Sequence, residues 1–295
     1  MITDHDRQIL AKLPVWNPTG EVTAQRVAWE KLAVLYNSDL PAIGALEKNV
    51  DLRAGLRADI AVPKSAGPHP VVIYLHGGGW AFGSPTSHRK LGMQFAEAGY
   101  LTIILDYRLA PEHPFPAALE DAIFAIEWAA RSAHRWNGDG RRIAIGGDSA
   151  GGNLAVAALT SCTPEQRSLV RAAVLLYGAY DLKATAERTR SLPGLQQQLR
   201  TYVSGSEAMF DDPRVSPLKA VAPGLQLPPC FIIGASEDTW CLADSLALSQ
   251  NLTAAASPYE LHVMEGMPHG FMQMSTLDGF RAVMPLLWDF LARNV

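Results

Sequence analysis

Arg142-Ile143-Ala144-Ile145-Gly146-Gly147-Asp148-Ser149-Ala150-Gly151 opens on a short apolar run and closes on a Ser flanked by glycines. The next residues, Gly152-Asn153-Leu154-Ala155-Val156-Ala157-Ala158-Leu159, are small, apolar and helical in character. The order is strand, sharp turn, helix, with Ser149 at the apex of Gly147-x-Ser149-x-Gly151. In this nucleophile-elbow pattern the tight turn imposes strained backbone angles on the Ser and lifts its hydroxyl into the open. Gly147 and Gly151 lack the Cβ atoms that would collide as the helix folds back beside the strand.

A Ser so presented needs a base, a carboxylate to orient that base, and donors for a developing oxyanion. In a strand–elbow–helix context they follow the order Ser, acid, His along the chain. The donors come first, at His76-Gly77-Gly78-Gly79-Trp80, directly after the apolar run 71–75. Three glycines let the backbone aim N–H groups outward and let a carbonyl approach without meeting side chains. The expected oxyanion donors are Gly78, Gly79 and Ala150. The base is expected at His269, in Gly266-Met267-Pro268-His269-Gly270-Phe271, after the alternating strand Tyr259–Met264. His262 lies within that strand and reads as a residue with a satisfied ring. His5, His69, His88 and His134 sit in exposed-looking contexts, and His113 in a Pro-rich turn. The acid should follow the run 231–233. Asp238 is best placed, with Glu237 beside it and Asp244 a helical turn later as alternatives. Asp148 suits a structural role, because its side chain leaves the elbow in another direction. Asp212 and Arg214 read as a buried polar knot. Trp80, Phe82, Tyr202, Met209 and Phe210 are the candidate substrate-pocket residues.

Short β-branched runs at 71–75, 101–105, 143–146, 173–177 and 231–233 alternate with helical patterns at 117–135 and 242–255. That alternation predicts an α/β protein with a mainly parallel sheet. Residues around Val50 and Leu56–Val62 suggest an antiparallel edge. Phe280, Val283, Met284, Leu287, Phe290 and Leu291 predict a closing amphipathic helix, kinked or restarted at Pro285. Two segments fit poorly: residues 1–45, helical before any strand, and 184–211, rich in Gln, Arg and Ser. They are expected to form two cap segments over a core made of 46–183 and 212–295.

The remaining features exclude other functions. The chain has 295 residues, 48% of them hydrophobic, enough for one large core. A net charge of −4 without a Lys/Arg run argues against nucleic acid. Three widely spaced cysteines imply no disulfide framework, and Cys230 reads as a small buried residue. Acids at Asp4 and Asp6 stand where a signal peptide carries positive charge, and no apolar stretch approaches the ~20 residues of a membrane span. A cytoplasmic protein is the expectation.

Together with Tyr107-Arg108-Leu109-Ala110-Pro111-Glu112-His113-Pro114-Phe115-Pro116-Ala117-Ala118, Asp212-Pro213-Arg214-Val215-Ser216-Pro217-Leu218 and His269-Gly270-Phe271, these strings resemble the hormone-sensitive-lipase-like (bacterial family IV) esterases. The resemblance implies the α/β-hydrolase fold, with a mainly parallel eight-stranded sheet, flanking helices and a two-part helical cap. It implies hydrolysis of short-to-medium acyl esters through a Ser149–His269–Asp238 triad and an acyl-enzyme, without cofactor or metal. A homodimer is compatible with it. An amide, formamide or carbamate hydrolase using the same triad is the alternative, and a non-catalytic small-molecule receptor the remote one. The chain departs from the family in two places. Relatives carry Asp-Pro-Leu where this chain has Asp238-Thr239-Trp240, and aromatic residues where it has Gln197-Gln198-Leu199-Arg200-Thr201 before Tyr202. A more polar or wider pocket, or simply a solvated helix surface, follows from the second departure.

Overall fold

The computed structural model describes residues 2–12 and 22–295, apart from the side chain of Leu35. Residues 13–21 of the expected first cap segment lie outside the described residues. The apolar runs become strands of one eight-stranded sheet among the described residues: β1 (Ala45–Arg53), β2 (Leu56–Val62), β3 (His69–Leu75), β4 (Leu101–Asp106), β5 (Gly138–Asp148), β6 (Val170–Leu176), β7 (Cys230–Ala235) and β8 (Tyr259–Met264). Their spatial order is β1-β2-β4-β3-β5-β6-β7-β8. β2 pairs antiparallel with both β1 and β4, and every other pairing is parallel. In the central pair Val71 to Leu75 align with Ile143 to Gly147. The carboxyl ends of β3, β5, β7 and β8 therefore open at one edge of the sheet, where α/β folds bind ligands.

The helices are α1 (Asp4–Leu10), α2 (Val22–Tyr36), α3 (Arg89–Glu97), α4 (Ala117–Ser132), α5 (Ala150–Ser161), α6 (Pro164–Ser168), α7 (Leu182–Arg188), α8 (Pro193–Tyr202), α9 (Leu242–Ala254) and α10 (Asp278–Asn294). Successive strand residues point to opposite faces, and the core divides accordingly. Val71, Ile73 and Leu75 pack with α4, α5 and α9, whereas Val72 and Tyr74 pack with α3 and α10. Burial of both faces explains why these strands read as continuous apolar runs rather than alternations.

Local physics moved several boundaries. The strand expected to end at Tyr177 stops at Leu176, because Tyr177 takes φ 40 and turns the chain out of the extended region. The helix expected to reach residue 135 ends at Ser132, passes into a 3₁₀ turn (Ala133–Trp136) and closes on Asn137 at φ 56. α10 neither stops nor restarts at Pro285: the proline lies on its exposed side, while Phe280, Val283, Leu287, Phe290 and Leu291 stay buried on the other. The missing N–H costs one intrahelical bond, which that apolar stripe outweighs. α1 docks on the start of α10, where the buried Asp6 carboxylate accepts from the Asp278 N–H (2.7 Å) and the Gly279 N–H (3.3 Å). It thereby satisfies donors that a helix N-terminus leaves free.

The elbow glycines are packing requirements. A Cβ at Gly151 would lie 1.9 Å from the Leu75 carbonyl oxygen, and one at Gly147 2.1 Å from the same atom. Backbone is met on both sides, so neither can relax cheaply. Gly151→Ala is expected to destabilise the protein by about 3 kcal/mol, read as a lower urea midpoint. An unchanged midpoint would show that helix α5 does not cross β3 this closely.

Candidate active site

Ser149 holds φ 53 and ψ −116, a strained position for a residue with a Cβ. Two bonds fix it there: its N–H donates to Leu176 O (2.9 Å) and its carbonyl accepts from Asn153 N–H (3.1 Å). The hydroxyl is thereby delivered to His269, whose Nε2 stands 2.9 Å from Ser149 Oγ. On the other side of the ring His269 Nδ1 lies 2.7 Å from Asp238 Oδ2. A carboxylate can only accept, so Nδ1 carries the proton and Nε2 is left as the acceptor for the Ser hydroxyl. The second oxygen of Asp238 accepts from the N–H groups of Trp240 (2.9 Å) and Cys241 (3.0 Å), which locks the carboxylate. Trp240 and Tyr177 lie against the imidazole, with ring centroids 5.0 and 5.1 Å away.

The electrostatics suit a proton relay. Burial lowers the pKa of His269, but the charge and hydrogen bond of Asp238, with Asp148 behind, together raise it above its usual 6.5. For Asp238 burial raises the pKa, and the nearby imidazole and the two amide donors outweigh that and hold it below 3.8. Among the described residues Asp238, Cys241 and His269 are the one group whose ligand atoms cluster within reach of a metal, inside 4.8 Å. Burial pushes the Cys241 thiol well up, and the carboxylate and imidazole already engage each other, so the set suits proton transfer better than metal binding.

Asp244 and Glu237 do not reach the imidazole. Asp244, in the first turn of α9, accepts from the N–H groups of Tyr180 (2.7 Å) and Asp181 (2.8 Å) and pairs with Arg188, tying the loop after β6 to α9. Glu237 Oε1 accepts from Ser236.

The glycine loop beside Ser149 is bent into the left-handed region, with φ 131 at Gly78, 55 at Gly79 and 58 at Trp80. The amides of Gly78, Gly79 and Ala150 have no acceptor among the described residues. Asp148 secures the loop from beneath. Its buried carboxylate accepts from Gly77 N–H (2.9 Å) and Tyr74 OH (2.7 Å), and Gln273 Nε2 lies 3.4 Å away. Burial raises its pKa, yet His88 and these donors together hold it at about 2. A single charged residue thus joins the end of β3, the glycine loop and the loop that carries His269.

His88 is the residue that sequence reasoning missed. It is buried rather than exposed, its Nε2 3.3 Å from Asp148 and its Nδ1 2.8 Å from Ser87 Oγ. Its one signal was position, on the loop returning under Gly77. His69 is likewise buried. His262 lies on β8 against Phe231, but its Nε2 makes no hydrogen bond, with Glu260 at 3.5 Å. The expected polar knot of Asp212 and Arg214 is not buried: Asp212 is half-buried and Arg214 exposed, a local pair (2.7 Å) with the guanidinium over Phe115.

A cavity of about 420 Å³ opens above Ser149 and His269, within the range of small-molecule sites. Trp80 and Phe82 line it as expected. Tyr202, Met209 and Phe210 do not. Tyr202 is buried behind Trp80, stacked on its ring at 4.4 Å; Phe210 is buried in the core below the cap, and the half-buried Met209 packs against that core. The walls come instead from Trp29, Leu32 and Tyr36 of α2, Thr185 of α7, and Leu195, Gln198 and Leu199 of α8. Arg26 binds α2 to the core through Glu112 (2.7 Å), Ala81 O (2.8 Å) and Ala110 O (3.0 Å).

No helix among the described residues is long and apolar enough to cross a membrane. The chain is 28% identical to an esterase from Pyrobaculum calidifontis, with 99% of each chain covered and a TM-score of 0.86. It is also 28% identical to a thermophilic carboxylesterase cloned from a metagenomic library (93% of this chain, 97% of that one, TM-score 0.85). An esterase of the bacterial hormone-sensitive lipase family matches at 28% identity over 100% of this chain and 99% of that one, TM-score 0.83. Residues 72–273 match the alpha/beta hydrolase fold family, and the chain belongs to that family.

Proposed function

We propose that the protein is a serine carboxylesterase acting on short-to-medium acyl esters. The observation that carries this reading is the unbroken relay Ser149 Oγ–His269 Nε2 (2.9 Å) and His269 Nδ1–Asp238 Oδ2 (2.7 Å) at the floor of the cavity. Ser149 Oγ attacks the ester carbonyl as His269 takes its proton. The tetrahedral oxyanion is held by the N–H groups of Gly78, Gly79 and Ala150, each worth about 2.7–4 kcal/mol by comparison with other hydrolases. His269 then protonates the leaving alcohol, and an acyl-Ser149 remains. Water activated by the same imidazole releases the acid. Asp238 fixes the tautomer and stabilises the imidazolium throughout.

The described parts of residues 1–45, together with 184–211, act as the cap over a core of 46–183 and 212–295. Support comes from the cavity walls contributed by α2, α7 and α8 and from the contact of Gln198 Nε2 with Gln25 Oε1 (3.2 Å). Walls of this kind limit the length of acyl chain that the cavity accepts. Rates toward p-nitrophenyl acetate, butyrate, octanoate and palmitate are expected to fall from butyrate to palmitate by at least about a hundredfold. The matched butyryl anilide should be cleaved far more slowly than the ester. Faster cleavage of the anilide would make the protein an amidase, and equal rates along the series would remove the cap from the account.

A further inference from the structure

On the cap side the cavity is lined by Gln198, a polar residue that the proposed chemistry does not use. Gln198, on α8, is 4% exposed, yet it lines the same cavity as Ser149 and His269. Its Nε2 donates to Gln25 Oε1 at 3.2 Å, which fixes the carboxamide and turns Oε1 the other way. That oxygen lies against Gly79: a Cβ built there would come within 2.6 Å of it. Gln198 Oε1 has no hydrogen-bond partner among the described residues, and α2 and α8 line the same cavity with Trp29, Leu32, Leu195 and Leu199. An acceptor that faces a largely apolar cavity is satisfied there by water or by a donor on the substrate. A substrate that displaces the water without replacing its hydrogen bond leaves the oxygen unpaired. Because Oε1 abuts the loop whose amides face the reacting carbonyl, the group able to reach it sits close to that carbonyl.

Resting on the esterase reading above, we propose that Gln198 selects esters whose acyl chain carries a hydroxyl or N–H donor on the carbon α or β to the carbonyl, the class of small hydroxy-acid esters. The donor satisfies Gln198 Oε1 while the carbonyl oxygen enters the glycine loop, so selectivity and productive orientation come from one contact.

The test is the ratio of kcat/KM for p-nitrophenyl 3-hydroxybutyrate to that for p-nitrophenyl butyrate. Wild type is expected to favour the hydroxy ester about tenfold, and Gln198→Leu to bring the ratio to about one. Gln198→Met, close in shape, gives the same reading if the Leu variant folds poorly. A wild-type ratio near one, or a preference that survives both substitutions, overturns the selector. Hydrolysis of neither ester by well-folded wild type would instead strike at the esterase reading itself.

Discussion

Ser149→Ala is expected to lower kcat about a millionfold on any ester that the wild type hydrolyses, by comparison with the same substitution in another serine hydrolase. It should leave the folded state nearly untouched. Alanine keeps the Cβ, so the strain at φ 53 is unchanged, and the bonds that hold the elbow run through the backbone of residue 149. The one side-chain interaction removed is the hydroxyl contact with His269. The imidazole keeps Asp238, Trp240 and Tyr177 around it, so the base remains in place with nothing to activate. Release of p-nitrophenolate measures the loss, and the thermal midpoint checks the fold. Turnover above about a thousandth of wild type in a correctly folded variant would mean that another nucleophile does the chemistry.

Asp238→Asn carries the second large effect, about 10⁴-fold in kcat by comparison with the equivalent change in another triad. Its pH signature is more specific than its size. The base works only when neutral, so kcat/KM falls as pH drops through the pKa of His269 in the free enzyme. In wild type that midpoint lies above 6.5, since Asp238 outweighs the effect of burial. Removing the carboxylate charge leaves burial dominant, so the acid limb of the variant moves to lower pH. Stability moves the other way. The raised pKa means that the stability contributed by His269 is complete below 6.5 and is lost as pH rises through the folded value. The contribution of Asp238 is present above 3.8 and is lost as pH falls through its lowered value. The pair therefore contributes most between those limits, on the acid side of the range in which the base is free to act. An acid limb unmoved in Asp238→Asn would detach Asp238 from His269 in function.

The parts of this site that the chain announces in sequence are those fixed by local chemistry. Ser149 was readable because a strand-to-helix reversal requires Gly147 and Gly151 within a few residues. The glycine loop was readable because left-handed angles at Gly78 and Gly79 exclude most side chains. Asp238 could be ranked above Asp244 by its distance from the strand end, and the hydrogen bonds to Trp240 and Cys241 supply the reason. What the sequence hid depends on packing between distant segments. His88 is buried only because Tyr74, His76 and Trp29 meet over it. Tyr202 turns inward because Trp80, from a remote loop, offers a ring to stack on, and its aromatic character alone suggested a pocket wall. Gln198 carries no signal distinguishing it from exposed Gln197, since the side of α8 facing the cavity is set by the docking of α2. Pro285 misled in the opposite direction: the rule for proline is local, whereas the stripe that holds α10 together is tertiary.

In the proposed reaction Ser149 becomes covalently acylated. Quenching the enzyme in acid during turnover of p-nitrophenyl butyrate and sequencing its peptides by mass spectrometry tests that most directly. One butyryl group on Ser149, absent from Ser149→Ala, is the result that the relay geometry predicts. Butyrate release with no acyl group on Ser149 under conditions that trap such esters, or acylation at another residue that is competent in turnover, would contradict it.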